Sequence, residues 1–123
     1  MTCRNLTKGC LLADHLEIAN SAAARRKGLL GRSGLPRGGG MLLVPCRSIH
    51  TLRMKFPIDV VFIDKRMRVA KIVHRLAPGA VLRQCLKAHS TLELPAGTAA
   101  EKKLEVGDQL RIAPAPATKP HTN

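Results

Sequence analysis

Aromatic side chains are nearly absent from this 123-residue chain, which has no Trp, no Tyr and only Phe56 and Phe62. Its core must be built from Leu, Ile, Val, Met and Ala, and two phenylalanines cannot furnish a stacking platform for nucleic-acid bases. Acidic residues are scarce too: 8 Asp and Glu stand against 21 Lys and Arg, a formal net charge of +13. A field of that sign attracts polyanions, acidic lipid surfaces and anionic ligands, but it carries no information about fold. The basic residues are spread along the whole chain, so a solvated basic surface and a dedicated patch both remain open as explanations.

No run approaches the roughly 18 apolar residues of a membrane span. The stretch from Met1 to Cys10 lacks the apolar segment of a secretory signal. The expectation is a cytoplasmic protein with no transmembrane segment. Metal motifs are missing as well. Cys3, Cys10, Cys46 and Cys85 form no C-x-x-C pair, and His15, His50, His74, His89 and His121 show no ligand spacing. Cys85 and His89 would be an i, i+4 pair on a helix, too little for a site. The glycines follow neither the Walker nor the dinucleotide pattern. No metal and no cofactor is expected.

What is present fits one domain. A chain of this length buries roughly two-thirds of its unfolded surface and needs no disulfide to hold a core. Hydrophobic residues make up 45%, the usual globular share. The expected globular part is 1–112, followed by an extended, disordered Pro/Ala-rich tail at 113–123. The expected state is a monomer. In a reducing compartment the cysteines read as free thiols, three of them buried beside apolar neighbours; a Cys3–Cys10 disulfide is the alternative for an exported protein.

The pattern along the chain is mostly strand. A short apolar strand sits within 9–18, around Cys10 to Ala13. Asn20 or Ser21 then caps a helix, Ala22 to Lys27, whose last turn is cationic and which Gly28 stops. Six glycines and Pro36 make 28–40 a loop, and Met41 to Val44 is a strand that ends at Pro45. Residues 46–57 are an irregular polar connection. Ile58 to Asp64 is a nearly continuous β-branched run, suited to a central strand covered on both faces. With a turn at Asp64 to Arg66 and a strand from Met67 to Val73 it forms a hairpin. Pro78-Gly79 is another turn, and Thr91 to Leu94 another strand. Thr98 and Glu101 have the spacing of a capping box opening a two-turn helix, and Gln109 to Ile112 a last strand. The fold class is α+β with β dominant: a small curved, mainly antiparallel sheet or partly closed barrel with two short helices.

Several segments together carry a family resemblance. They are Gly28-Leu29-Leu30-Gly31-Arg32, Leu35-Pro36, Gly40-Met41-Leu42 and His50-Thr51-Leu52-Arg53-Met54. The series continues with Pro57 to Asp64, Leu92-Glu93-Leu94-Pro95-Ala96-Gly97 and Val106-Gly107-Asp108. In this order, over roughly 15–112, the chain resembles the uncharacterised prokaryotic family known as domain of unknown function 192. Leu30 stands where relatives carry Met, a mild core exchange. Pro78-Gly79-Ala80 stands where many have Pro-aromatic-Arg. The resemblance implies a compact β-rich fold and no assigned activity.

Arg32, His50, Thr51, Met54, Asp59 and Glu93, all polar except Met54, lie at segment boundaries, where sites tend to form. Asp59 interrupts an apolar strand just after Pro57, and a carboxylate there must be paired or hydrogen-bonded. It is either a brace for the 46–57 connection or a ligand contact shared with His50 and Arg32. The leading functional reading is a non-catalytic domain that binds a small, anionic ligand or a protein at the 28–59 loops, with these six residues as the candidate site. The first alternative is a nucleic-acid binder that contacts the phosphate backbone without sequence preference and is sensitive to salt. The second is a small hydrolase using His50 and Asp59 with Cys46 or Ser48, which demands a nucleophile within hydrogen-bond reach of His50. Backbone N–H groups of the 28–40 loop, with Arg32 and Arg37, are a weaker phosphate cradle than turn-forming glycines.

Overall fold

The β-branched run becomes the centre of the molecule. In the computed structural model, which describes residues 1–115, all six residues of the strand Ile58–Ile63 are buried. Counting along the described chain this is β6. Before it come β1 (Thr2–Asn5), β2 (Cys10–Ala13), β3 (His15–Ala19), α1 (Ala22–Lys27), β4 (Gly39–Leu43) and β5 (Ser48–Ile49). After it come β7 (Val69–Leu76), β8 (Arg83–Gln84), β9 (Ser90–Pro95), α2 (Thr98–Glu101) and β10 (Leu110–Ala113). The chain is β-dominant, with two short helices and sheets that stay open rather than closing into a barrel.

The main sheet has the order β3-β4-β9-β6-β7. All its pairings are antiparallel except β3 with β4, which run parallel and are joined by α1 and the glycine-rich loop. A second sheet, β10-β1-β2, brings the two ends of the domain together. The small β5–β8 ribbon pairs Ser48 with Gln84 and Ile49 with Arg83.

Side chains alternate across a strand, so each strand of the main sheet feeds two cores. Leu42, Val61, Ile63, Leu92 and Leu94 pack on one face against Cys3, Leu12, Leu16, Ala99, Leu104 and Leu110. Met41, Leu43, Ile58, Val60 and Phe62 pack on the other, against Ala19, Leu29, Ile49, Leu76 and Ala88. The second sheet and α2 cover the first face; α1, the following loop and the 46–56 segment cover the second. This double cover explains why β6 is an almost unbroken apolar run and why the polar side chains of β9 are buried as well.

Local chemistry accounts for the helices. Ser21 caps α1, its Oγ accepting from Ala24 N at 3.0 Å, and Gly28 ends it at φ +46°. The capping box at α2 does not form. Gly97, in the left-handed region, is the cap residue, Thr98 is the first helical residue, and the helix is a single turn. The carboxylate of Asp59 reaches over from β6 and does the capping instead, while Glu101 pairs with Arg37. Cys3 is the one cysteine that is fully buried; Cys10, Cys46 and Cys85 are half-buried, and all four are free, so the expectation of three buried thiols is corrected. β10 runs through Ala113, and residues 116–123 of the Pro/Ala tail lie outside the described residues.

Candidate functional site

Sheet register divides the six candidate residues. Asp59 pairs with Leu94 and Val60 with Glu93, so neighbouring positions put Asp59 and Glu93 on opposite faces of the sheet. Asp59 is fully buried, and its carboxylate accepts three backbone N–H groups: Arg75 at 2.8 Å, Gly97 at 3.1 Å and Ala99 at 2.8 Å. It is therefore a brace, but one that ties β6 to β7 and α2 rather than to the 46–57 connection. Thr51 is a second brace. Its Oγ1 donates to Ala77 O at 2.7 Å and accepts from Ala80 N at 2.8 Å, latching the irregular segment to the turn after β7. Arg32 lies in a separate cleft beside Leu35 and Pro36, paired bidentately with Glu17 at 2.5 and 2.8 Å. That pair holds the Glu17 carboxyl below the usual range.

The other three come together. His50, Met54 and Glu93 line a cavity of about 430 Å³. One wall is the end of α1 and the turn beyond it, Arg25 to Leu30; the other is the segment from Pro45 to His50. Leu43 and Glu93 contribute from the sheet itself. Arg25 fixes the first wall to the sheet by donating from Nη1 to Val44 O at 3.0 Å.

Glu93 is the chemically unusual member. It is 4% exposed, its remaining surface opens into the cavity, and among the described residues its carboxylate forms no hydrogen bond or ion pair. Burial alone pushes its pKa up to about 7, since the neutral form is favoured away from water. Among the described residues none of the cations of the cavity, Arg25, Arg26, Lys27 and Arg47, forms an ion pair with it, and burial is left unopposed. A Cβ placed on Gly28 would sit 4.0 Å from Glu93 Oε1, so the missing side chain leaves the acid uncovered. Among the described residues Glu93 is the sole carboxylate lining this cavity, against four such cations.

Catalytic pairing is not seen around His50. Its Nδ1 accepts from Leu52 N at 3.3 Å, and the Cys46 thiol donates to Ser48 O at 3.2 Å, so neither forms a nucleophile–base pair with the other. Among the described residues no group of three His, Cys, Asp or Glu side chains is placed to hold a metal ion. Among the described residues no helix is long and apolar enough to cross a membrane.

The cations of the cavity were missed as site residues in the sequence. Arg25 to Lys27 have a sufficient local explanation at a helix C-terminus, and nothing local distinguishes Arg47. The signal that could have found them is Gly28, which follows the basic turn and faces the acid of a strand far along the chain.

The family model of DUF192, described as an uncharacterized ACR, matches residues 5–112. The chain belongs to that family. Two solved structures share the fold of this DUF192 domain. A protein of unknown function from Novosphingobium aromaticivorans is 24% identical, with a TM-score of 0.77 over 90% of this chain and 82% of the other. A protein from Sinorhizobium meliloti, provisionally named a transcription regulator, is 22% identical, with a TM-score of 0.78 over 89% of each chain. Among curated proteins none matches the sequence.

Proposed function

We propose that this DUF192 domain is a non-catalytic binder of a small ligand that carries an anionic group and, elsewhere, an N–H or O–H donor. The carrying observation is the largely buried, unpartnered carboxylate of Glu93 in a cavity lined mainly by cations and apolar side chains. A buried carboxylate without a donor is costly, and a ligand donor relieves that cost. Arg26, Lys27 and Arg47 supply charge for the anionic end, with His50 beside them, while Leu29, Leu43, Ile49 and Met54 enclose the middle. Few convergent polar groups in an apolar cavity are the usual make-up of a small-molecule site.

This reading replaces the six-residue cluster with a smaller one. His50, Met54 and Glu93 stay; Arg32, Thr51 and Asp59 are assigned to holding the scaffold. Nucleic-acid binding through the phosphate backbone draws on the net charge alone and makes no use of Glu93.

The test is an amide NMR titration with O-phosphoserine, glucose 6-phosphate, AMP and inorganic phosphate as probes. Binding should shift the amides of 26–30, 46–50 and 93, with a donor-bearing probe outperforming phosphate, and Arg47→Glu should weaken it about tenfold or more. Shifts scattered over the surface, or none in these three segments, would refute the proposal.

A further inference from the structure

Seven large apolar side chains are exposed among the described residues, and four of them lie on one ribbon: Leu52, Val81, Leu82 and Leu86. Val81 and Leu86 are 71% and 79% exposed, values that a folded chain gives to few aliphatic residues. The ribbon consists of 47–55 alongside 79–87. It is held by the β5–β8 pairing, by Cys85 N donating to Arg47 O at 2.9 Å, and by Thr51 N donating to Ala80 O at 2.9 Å. Lys71 joins it, its Nζ donating to Gln84 O at 3.1 Å.

Cations are interleaved with these apolar residues. Arg47, Arg53, Lys55, Lys71, Arg83 and Lys87 are all exposed. From Cys46 to Leu92 the chain holds two acids only: Asp59, buried against backbone N–H groups, and Asp64, which accepts from Arg66 N and Arg68 N in the β6–β7 turn. Glu93 lines the same cavity as Arg47, but among the described residues none of the six cations forms an ion pair with a carboxylate.

The charge pattern selects the occupant. A second copy of this face would bring two sets of unpaired cations together, which disfavours self-association. Nucleic-acid phosphates satisfy the cations and give the exposed aliphatic residues nothing, and the ribbon carries no Phe, Tyr or Trp to stack on a base. An acidic lipid surface satisfies both, because its phosphates meet the cations while its acyl boundary accepts aliphatic side chains.

We propose that this ribbon docks the domain on an anionic membrane surface, with Val81, Leu82 and Leu86 entering the headgroup region and the surrounding Arg and Lys resting on lipid phosphates. The inference rests on Val81, Leu82 and Leu86, which the ligand reading does not use, although Arg47 belongs to both surfaces, and it places nothing across the bilayer.

Sedimentation of the full chain with vesicles tests it. The vesicles are phosphatidylcholine alone or with about 30 mol% phosphatidylglycerol, at about 0.1 and 0.5 M NaCl. The expected result is binding to the acidic vesicles at low salt, at least tenfold weaker on neutral vesicles and at high salt. The triple variant Val81→Ser, Leu82→Ser, Leu86→Ser keeps every charge, and its side chains support no core, so an unchanged Tm verifies its fold. It should lose at least tenfold in partitioning. Absence of vesicle binding overturns the proposal, as does a triple variant that partitions like the wild type. It is equally overturned if a 20-mer oligonucleotide displaces the protein from vesicles and its own affinity falls with the same serine substitutions.

Discussion

Glu93 occupies a central strand between Met41 and Val60, a position where Leu or Val would contribute burial with no desolvation cost. Its linkage to pH follows from the direction of its shift. The folded state raises its pKa from 4.5 to about 7, so the folded protein holds this proton more tightly than the unfolded chain. Stability from this group is complete below about pH 4.5, falls as pH rises, and levels off above about 7, a loss of about 3 kcal/mol across the window. Glu93→Gln keeps the shape and cannot ionise. It should match the wild type near pH 4 and exceed it by up to about 3 kcal/mol near pH 8, as read by urea unfolding at several pH values. If the two proteins keep parallel pH profiles, the carboxylate is not desolvated as described. Asp59 shows the opposite solution to the same problem. Three backbone donors surround it, and it holds secondary structure together where Glu93 is left open.

At the scale of elements, most of the architecture was legible because it rests on local rules. Ser21 and Gly28 bound α1, and the run from Ile58 to Ile63 shows its double burial as an unbroken apolar string. Where the reading failed, the deciding partner was distant in sequence. β1 looks polar, yet Asn5 is buried because its amide donates to Asp108 Oδ2 at 2.8 Å, over a hundred positions away. The helix α2 is capped by Asp59 rather than by Thr98 for the same reason. The candidate site was half legible. Residue type and position at a segment boundary flag Asp59 and Glu93 alike, and only the register that pairs Val60 with Glu93 separates a brace on one face from a cavity acid on the other. Thr51 carries the prediction at this scale. Thr51→Val retains the volume but leaves Ala77 O and Ala80 N without their side-chain partner, at a cost of about 1–3 kcal/mol. Hydrogen exchange should quicken at Ala80 while the β6 amides follow the global stability. Exchange at Ala80 that stays in step with β6 would mean that the 46–57 connection does not depend on this latch.

For the whole molecule, the governing quantity is the excess of 21 cations over 8 acids. Among the described residues the acids that pair with Lys or Arg hold together particular places: Asp108 and Glu105 with Lys8, Glu17 with Arg32, and Glu101 with Arg37. The cations around the Glu93 cavity and along the 47–55 and 79–87 ribbon have no such partner, so repulsion among them opposes the compact state. Screening should relieve it. Raising NaCl from about 0.02 to 0.3 M shortens the Debye length from roughly 20 to 6 Å, below the spacing of many surface charges, and Tm should rise by roughly 5 °C. The existing ion pairs weaken under the same conditions, but exposed pairs contribute little each, and the cations without partners outnumber them. Repulsion therefore dominates the response. A Tm that falls with added salt would reverse that ranking and place the stability of the domain in its few ion pairs. A rise would show that the unpaired cations lower the stability of the isolated domain, a cost that an anionic partner at either surface would relieve.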